Sequence, residues 1–163
     1  MHMPRRILIP TDMSDFSLSA LQYAEEVAEL FNASLTVVHI VEHEEHRSGL
    51  SDVERQQKAK SAIANLLMEK ELVPRSISIV MRHGHAATEI VKAARELNAD
   101  LIVMSTLGRT GMKHVLLGSV TEKVVRMSPC PVLTVRPEQF REVVGLTEED
   151  VEGDLRLKHE NGG

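Results

Sequence analysis

Short apolar runs alternate along the chain with longer segments whose apolar residues recur at helical spacing. Each short run is typical of a strand that is buried on both faces, and each longer segment is typical of an amphipathic helix. The strands are predicted at 6–10, 35–41, 77–81, 101–105 and 131–135, and the helices at 17–31, 51–72, around 90–97 and at 119–127. Strict alternation of the two types predicts an α/β fold, a five-stranded parallel sheet flanked by helices on both faces.

Capping and turn residues mark several boundaries between these elements. Ser17 is a good N-cap for the first helix, and Ser119 with Glu122 has the spacing of a capping box at the start of the last one. Pro74 is expected to stop the second helix, and Gly84 marks a turn after the third strand.

The acidic charge is concentrated at the C-terminal end. The 163-residue chain has a net charge of -5, and the segment from Glu138 onward carries eight acidic and three basic residues, which accounts for all of it. We therefore predict one domain over residues 1–137 and an acidic, partly disordered tail over 138–163. The balanced charge of the domain, with only 2% aromatic residues, argues against nucleic acid and anionic membranes as partners.

Two features bear on the cellular compartment. Cys130 is the single cysteine, so the chain cannot form an internal disulfide, which fits a reducing cytoplasm. The first apolar run stops at Pro10 and is too short for a signal peptide or a membrane span. We expect a cytoplasmic protein.

The stretch from Ser105 to Ser119 is the strongest candidate for chemistry. It joins a predicted strand to a predicted helix and contains Gly108 and Gly118. Backbone N–H groups in such a loop, together with the positive end of the helix dipole, are a common way to bind phosphate. Asp12 follows the first strand, and ligands of parallel sheets bind beyond the carboxyl ends of the strands. These positions predict a nucleotide site that pairs Asp12 with the glycine loop.

Several charged or metal-ligating side chains have a simpler interpretation. Arg109 and Lys113 lie in the glycine loop, where they are either surface charges or phosphate contacts. His43 and His46 have metal-ligand side chains, but no predicted helix or strand holds them, which favours a solvated loop. His39 ends the second strand and is expected to pack against a neighbour rather than to catalyse.

Five stretches resemble the universal stress protein family: residues 6–14, 38–41, 104–111, 116–124 and 128–133. Members that bind ATP carry a glycine, two residues, a glycine, nine residues, and then a glycine with a serine or threonine. Gly108, the nine residues after it, and Gly118 with Ser119 match this pattern. Ser105 stands where the family has its first glycine, and it adds a side chain where the backbone should approach the ligand closely.

The resemblance implies a Rossmann-like fold of the adenine nucleotide alpha hydrolase-like type, with strand order 3-2-1-4-5. It also implies that ATP, ADP or AMP binds, with Mg²⁺ bridging the phosphates of ATP. Asp12 would bond the ribose, and the loop from Gly108 through Arg109 to Gly118 would wrap the phosphates. The other implied contacts are Pro10, Thr11 and Ile40 at the base, Met104 and Ser105 under the base and ribose, and Ser119, Val120 and Thr121 at the phosphates. Family members are generally homodimers, which makes Val132–Val135 the implied interface strand.

Three functions remain open on these residues. The first is a stress-response regulatory protein that binds an adenine nucleotide and acts as a dimeric switch. The second is a slow ATPase, although neither a Walker lysine-serine pair nor a GxGxxG fingerprint occurs in the loop. The third is a dimeric scaffold in which Ser105 has disabled the nucleotide site and which acts through an unidentified protein partner.

Overall fold

The structure is a computed structural model that describes residues 3–42, 51–69, 77–108 and 117–136. Its elements are β1 Arg6–Thr11, α1 Asp15–Phe31, β2 Ser34–Val41, α2 Asp52–Glu69, β3 Ile77–His83, α3 Ala86–Glu96, β4 Leu101–Ser105, α4 Ser119–Met127 and β5 Val132–Val135. The predicted alternation of strands and helices is confirmed. The acidic tail, the loop cations Arg109 and Lys113, and the pair His43 and His46 lie outside the described residues.

The strands form a five-stranded parallel sheet in the order β3-β2-β1-β4-β5, which confirms the predicted topology. Successive residues of the central strand β1 contribute to opposite apolar layers. Ile7 and Ile9 belong to the layer built with α1 and α2, and Leu8 belongs to the layer built with α3 and α4. Because β2, β1 and β4 are adjacent and parallel, their carboxyl ends lie next to one another. We call this end of the sheet the carboxyl edge.

Pro10 ends the pairing between β1 and β4. The carbonyl of Arg6 accepts the Asp100 N–H at 2.9 Å, so alternate residues of β1 from Arg6 onward turn their backbone groups toward β4. Pro10 is one of these residues and has no N–H to donate. The β1–β4 ladder accordingly ends after Leu8, whereas β1 stays paired with β2 as far as Thr11. The two strands thus have a gap in their ladder at the carboxyl edge.

Both predicted serine caps are wrong. Ser14, not Ser17, caps α1: its Oγ accepts the Ser17 N–H at 3.3 Å, and Ser17 is itself buried. Gly118 caps α4, since its carbonyl accepts the first intrahelical hydrogen bond and Ser119 is the first helical residue. In both cases the helix begins earlier than the pattern of side chains indicates.

The predicted turn at Gly84 is confirmed by its φ of +132°.

Among the helices of the described ranges, none combines the length and the apolar character that a bilayer span requires.

Candidate functional site

Asp12 and Gly108 lie side by side at the carboxyl edge. Asp12 directly follows β1, and Gly108 follows the end of β4. A Cβ built on Gly108 would stand 3.1 Å from Oδ2 of Asp12, closer than side chains ordinarily approach. The missing side chain of Gly108 therefore leaves room for the carboxylate next to the gap in the β1–β4 ladder.

Ser14 holds the Asp12 carboxylate in one orientation. The Ser14 N–H donates to Oδ1 of Asp12 at 3.0 Å, and the Ser14 hydroxyl donates to the same oxygen at 2.5 Å. An aspartate that bonds the backbone two residues on forms an Asx turn, which here shapes the entry to α1. Oδ1 is engaged in this turn, and Oδ2 lies next to Gly108.

Thr11, the last residue of β1, is fixed by its neighbours on both sides. Its Oγ1 accepts the Met13 N–H at 3.0 Å and lies 2.9 Å from Oγ of Ser17. His39 on β2 is 4% exposed, and its Nδ1 lies 2.8 Å from the Thr11 carbonyl oxygen. Since a carbonyl oxygen only accepts, Nδ1 carries the proton. His39 is thus a buried partner of the strand end, as its position in the sequence predicts.

Two hydrogen bonds join the end of β4 to the start of α4. The Gly118 N–H donates to the Thr106 carbonyl at 2.8 Å, and the Thr121 hydroxyl donates to the Ser105 carbonyl at 2.9 Å. A Cβ on Gly118 would stand 3.2 Å from that Thr106 oxygen, so glycine permits the close approach. The first turn of α4, with N–H groups that no helical carbonyl can satisfy, is therefore anchored at the carboxyl edge.

Ser105 fits its position without backbone strain. Among the described non-glycine residues, positive φ occurs at Met13, Asn32 and Asn98, and Ser105 is not one of them. Its side chain is buried, and its Oγ accepts the Leu107 N–H at 3.1 Å. A serine that bonds the N–H two residues on forms a local turn, so this hydroxyl is engaged within its own loop. Serine therefore replaces the family's glycine at this position without adopting a left-handed backbone conformation.

The remaining predicted contacts within the described residues lie at the same edge. Met104 is buried in the apolar cluster beneath α3 and α4, and Ile40 packs against the same cluster. Ser119 and Val120 are the first two residues of α4, and both are exposed. Of the predicted contacts, Arg109 lies outside the described residues. Within the described ranges, three or more His, Cys, Asp or Glu side chains nowhere converge in a way that could hold a metal ion.

Sequence reasoning missed two hydroxyls at this edge. Ser14 orients Asp12, and the Asp-x-Ser spacing directly after a strand is a signal that could have identified it. Thr106 is 3% exposed, and its Oγ1 has no hydrogen-bond partner among the described residues. The position of Thr106 in the sequence, between a predicted strand and Gly108, does not indicate that its hydroxyl lacks a partner.

Comparisons with known proteins agree with this architecture. The model of the universal stress protein family matches residues 3–136. Universal stress protein MJ0531 of Methanocaldococcus jannaschii is 35% identical over 140 residues, covering 81% of this chain and 82% of that protein. The solved structure of MJ0577 from the same organism has a TM-score of 0.72 at 32% identity, covering 84% and 99% of the two chains. A crystal structure of a universal stress protein in complex with cAMP has a TM-score of 0.65 at 28% identity, covering 82% and 98%.

Proposed function

The chain belongs to the universal stress protein family, and we propose that it is a regulatory protein that binds an adenine nucleotide: ATP, ADP or AMP. Two kinds of observation support nucleotide binding, the geometry of the carboxyl edge and the similar protein in complex with cAMP. In the proposed complex the ribose lies at Asp12 and the phosphates lie at the start of α4.

One observation carries the proposal: Oδ2 of Asp12 faces Gly108 beside the place where β1 and β4 stop pairing. An ionised carboxylate only accepts hydrogen bonds, so the adjacent hydroxyls of a ribose suit it. The N-terminal N–H groups of α4, anchored at the same edge through Gly118, suit a phosphate. A side chain on Gly108 would crowd the carboxylate, so glycine at this position suits a site that uses Asp12, and the donors and acceptors present fit a ribose and a phosphate.

We propose that bound nucleotide acts through occupancy of the site rather than through fast hydrolysis. Phosphoryl transfer requires a positioned nucleophile and concentrated positive charge at the phosphates. The described groups at the phosphate end are backbone N–H groups and the hydroxyls of Thr106, Ser119 and Thr121. Mg²⁺ would enter with the phosphates of ATP, and any turnover is expected to be slow.

We further propose that the protein acts as a homodimer in the cytoplasm. In the described sheet β5 is an edge strand, and all four of its residues are half-buried. An unpaired strand edge is a template for another strand, and pairing two copies in a dimer removes this hazard. A cytoplasmic location suits a chain whose single cysteine, Cys130, cannot form an internal disulfide.

Calorimetric titration of the full chain with ATP, with and without Mg²⁺, tests the nucleotide site. Asp12→Asn keeps the shape of the side chain and removes its charge, and Asp15→Asn removes a charge at an exposed position of the same segment as a matched control. We expect micromolar binding by the unchanged protein and by Asp15→Asn. Asp12→Asn should bind about tenfold more weakly or worse, because charged hydrogen bonds to the ribose are lost.

Other outcomes of this titration would contradict the proposal or change it. Failure of the folded, nucleotide-free protein to bind ATP, ADP or AMP would contradict the proposal and favour a scaffold. Equal binding by Asp12→Asn and the unchanged protein would remove Asp12 from the site. Rapid turnover that Asp12→Ala abolishes would make the protein an enzyme.

A further inference from the structure

We infer that the hydroxyl of Thr106 is a ligand-binding group, which donates a hydrogen bond to a phosphate oxygen of the bound nucleotide. The inference rests on the proposed nucleotide site and adds a residue outside the set that the sequence predicts. Thr106 is 3% exposed, and within the described part of the chain its Oγ1 has no hydrogen-bond partner.

A buried hydroxyl without a partner is unfavourable in the empty protein. It has lost its hydrogen bonds to water without compensation, and buried polar groups in proteins are therefore nearly always paired. The neighbouring hydroxyls follow this rule: Oγ of Ser105 accepts the Leu107 N–H at 3.1 Å, and Oγ1 of Thr121 donates to the Ser105 carbonyl at 2.9 Å. Thr106 differs from both, and a ligand that supplies the missing partner accounts for the difference.

The backbone of Thr106 fixes the position of its side chain at the phosphate end of the site. The Thr106 N–H donates to the Val135 carbonyl at 3.0 Å, and the Thr106 carbonyl accepts the Gly118 N–H at 2.8 Å. Thr106 is thus held between β5 and the cap of α4. It continues the β4 ladder, so alternation puts it on the sheet face of Ile102 and Met104, which α3 and α4 cover.

Phosphate oxygens complement this hydroxyl. They are charged and only accept hydrogen bonds, so a hydroxyl can donate to them strongly. The N–H groups of the first turn of α4 suit the same anion. A hydroxyl beside that turn adds a donor without adding charge, and the cost of burying it is offset when the phosphate binds.

Thr106→Val tests the inference, because it replaces the hydroxyl by a methyl group of similar size. We expect this variant to bind ATP about tenfold more weakly or worse, and Thr106→Ser to bind close to the unchanged protein. Without nucleotide, Thr106→Val should melt about 2–4 °C higher, since a buried unsatisfied group has been removed. Thr36→Val, at a half-buried position of β2 away from the carboxyl edge, is the matched control and should leave ATP affinity unchanged.

Adenosine, titrated in competition with ATP, separates a phosphate contact from a contact to the base or ribose. Adenosine binding that stays constant in Thr106→Val while ATP binding falls supports the inference, and an equal fall for both ligands overturns it. Equal ATP affinity of Thr106→Val and the unchanged protein overturns the inference alone and leaves the nucleotide site standing. Failure of the unchanged protein to bind ATP, ADP or AMP overturns the proposed function and the inference together.

Discussion

Ser14 bonds two neighbours, and it thereby couples the start of α1 to the orientation of Asp12. Its hydroxyl donates to Oδ1 of Asp12 and accepts the Ser17 N–H. Ser14→Ala removes both hydrogen bonds but keeps the backbone bond from residue 14 to Asp12. We expect the free energy of unfolding to fall by about 1 kcal/mol through loss of the helix cap. ATP binding should weaken as well, because the carboxylate is less firmly oriented; thermal unfolding and calorimetry measure the two effects.

Two variants separate the cap from the orienting role. Ser19→Ala removes a hydroxyl that donates to the Asp15 carbonyl elsewhere on α1, and it should leave ATP affinity unchanged. Ser14→Thr retains a hydroxyl and should restore both stability and binding. If Ser14→Ala loses stability but binds ATP as tightly as the unchanged protein, then Ser14 is a helix cap and nothing more.

At the scale of elements, Asp100 joins the start of β4 to the start of β1. Its Oδ2 accepts the backbone N–H groups of Arg5 at 3.1 Å and Arg6 at 3.0 Å, and the Arg6 guanidinium bonds both carboxylate oxygens. The hydrogen bond from the Arg6 side chain is the main cause that holds the pKa of Asp100 below its usual range. A carboxyl group of this kind stabilises the fold above its ordinary pKa, and the stabilisation is lost as the pH falls through its folded-state pKa.

We expect Asp100→Asn to lower the melting temperature at neutral pH, with a gap to the unchanged protein that closes as the pH falls below about 4. The effect should be modest, because the Arg6 and Asp100 side chains are 52% and 34% exposed and water screens the pair. Melting temperatures measured from neutral to acidic pH, with Asp15→Asn as control, provide the test. A gap that stays constant across this range would show that the charge of Asp100 contributes nothing.

The spacing of apolar residues predicts the strands and helices because their buried faces require it, but it does not predict where each helix begins. Ser14 and Ser17 are both competent caps, and tertiary packing decides between them by burying Ser17. The meeting of Asp12 and Gly108 could be predicted, because the carboxyl ends of adjacent parallel strands share one edge. The unpaired hydroxyl of Thr106 could not be predicted, because it depends on how β4, β5 and α4 meet.

At the scale of the whole molecule, the proposed dimer depends on which backbone groups β5 turns outward. The carbonyls of Pro131 and Val135 accept the N–H groups of Ile102 and Thr106, both at 3.0 Å. Because backbone groups alternate along a strand, the N–H of Thr134 faces away from β4. This outward row of donors and acceptors is the edge that a second copy would pair with.

Thr134→Pro removes the outward N–H without removing a bond to β4, and proline is tolerated on an edge strand in this orientation. We expect a folded monomer by light scattering after gel filtration, whereas Thr134→Val keeps the N–H and should remain a dimer. Val132→Pro, at the next outward position, repeats the test if Thr134→Pro fails to fold. A Thr134→Pro protein that stays dimeric would place the interface elsewhere, and a monomeric unchanged protein would contradict the dimer. A monomeric variant that still binds ATP would show that each copy carries a complete nucleotide site and that dimer formation is not required for binding.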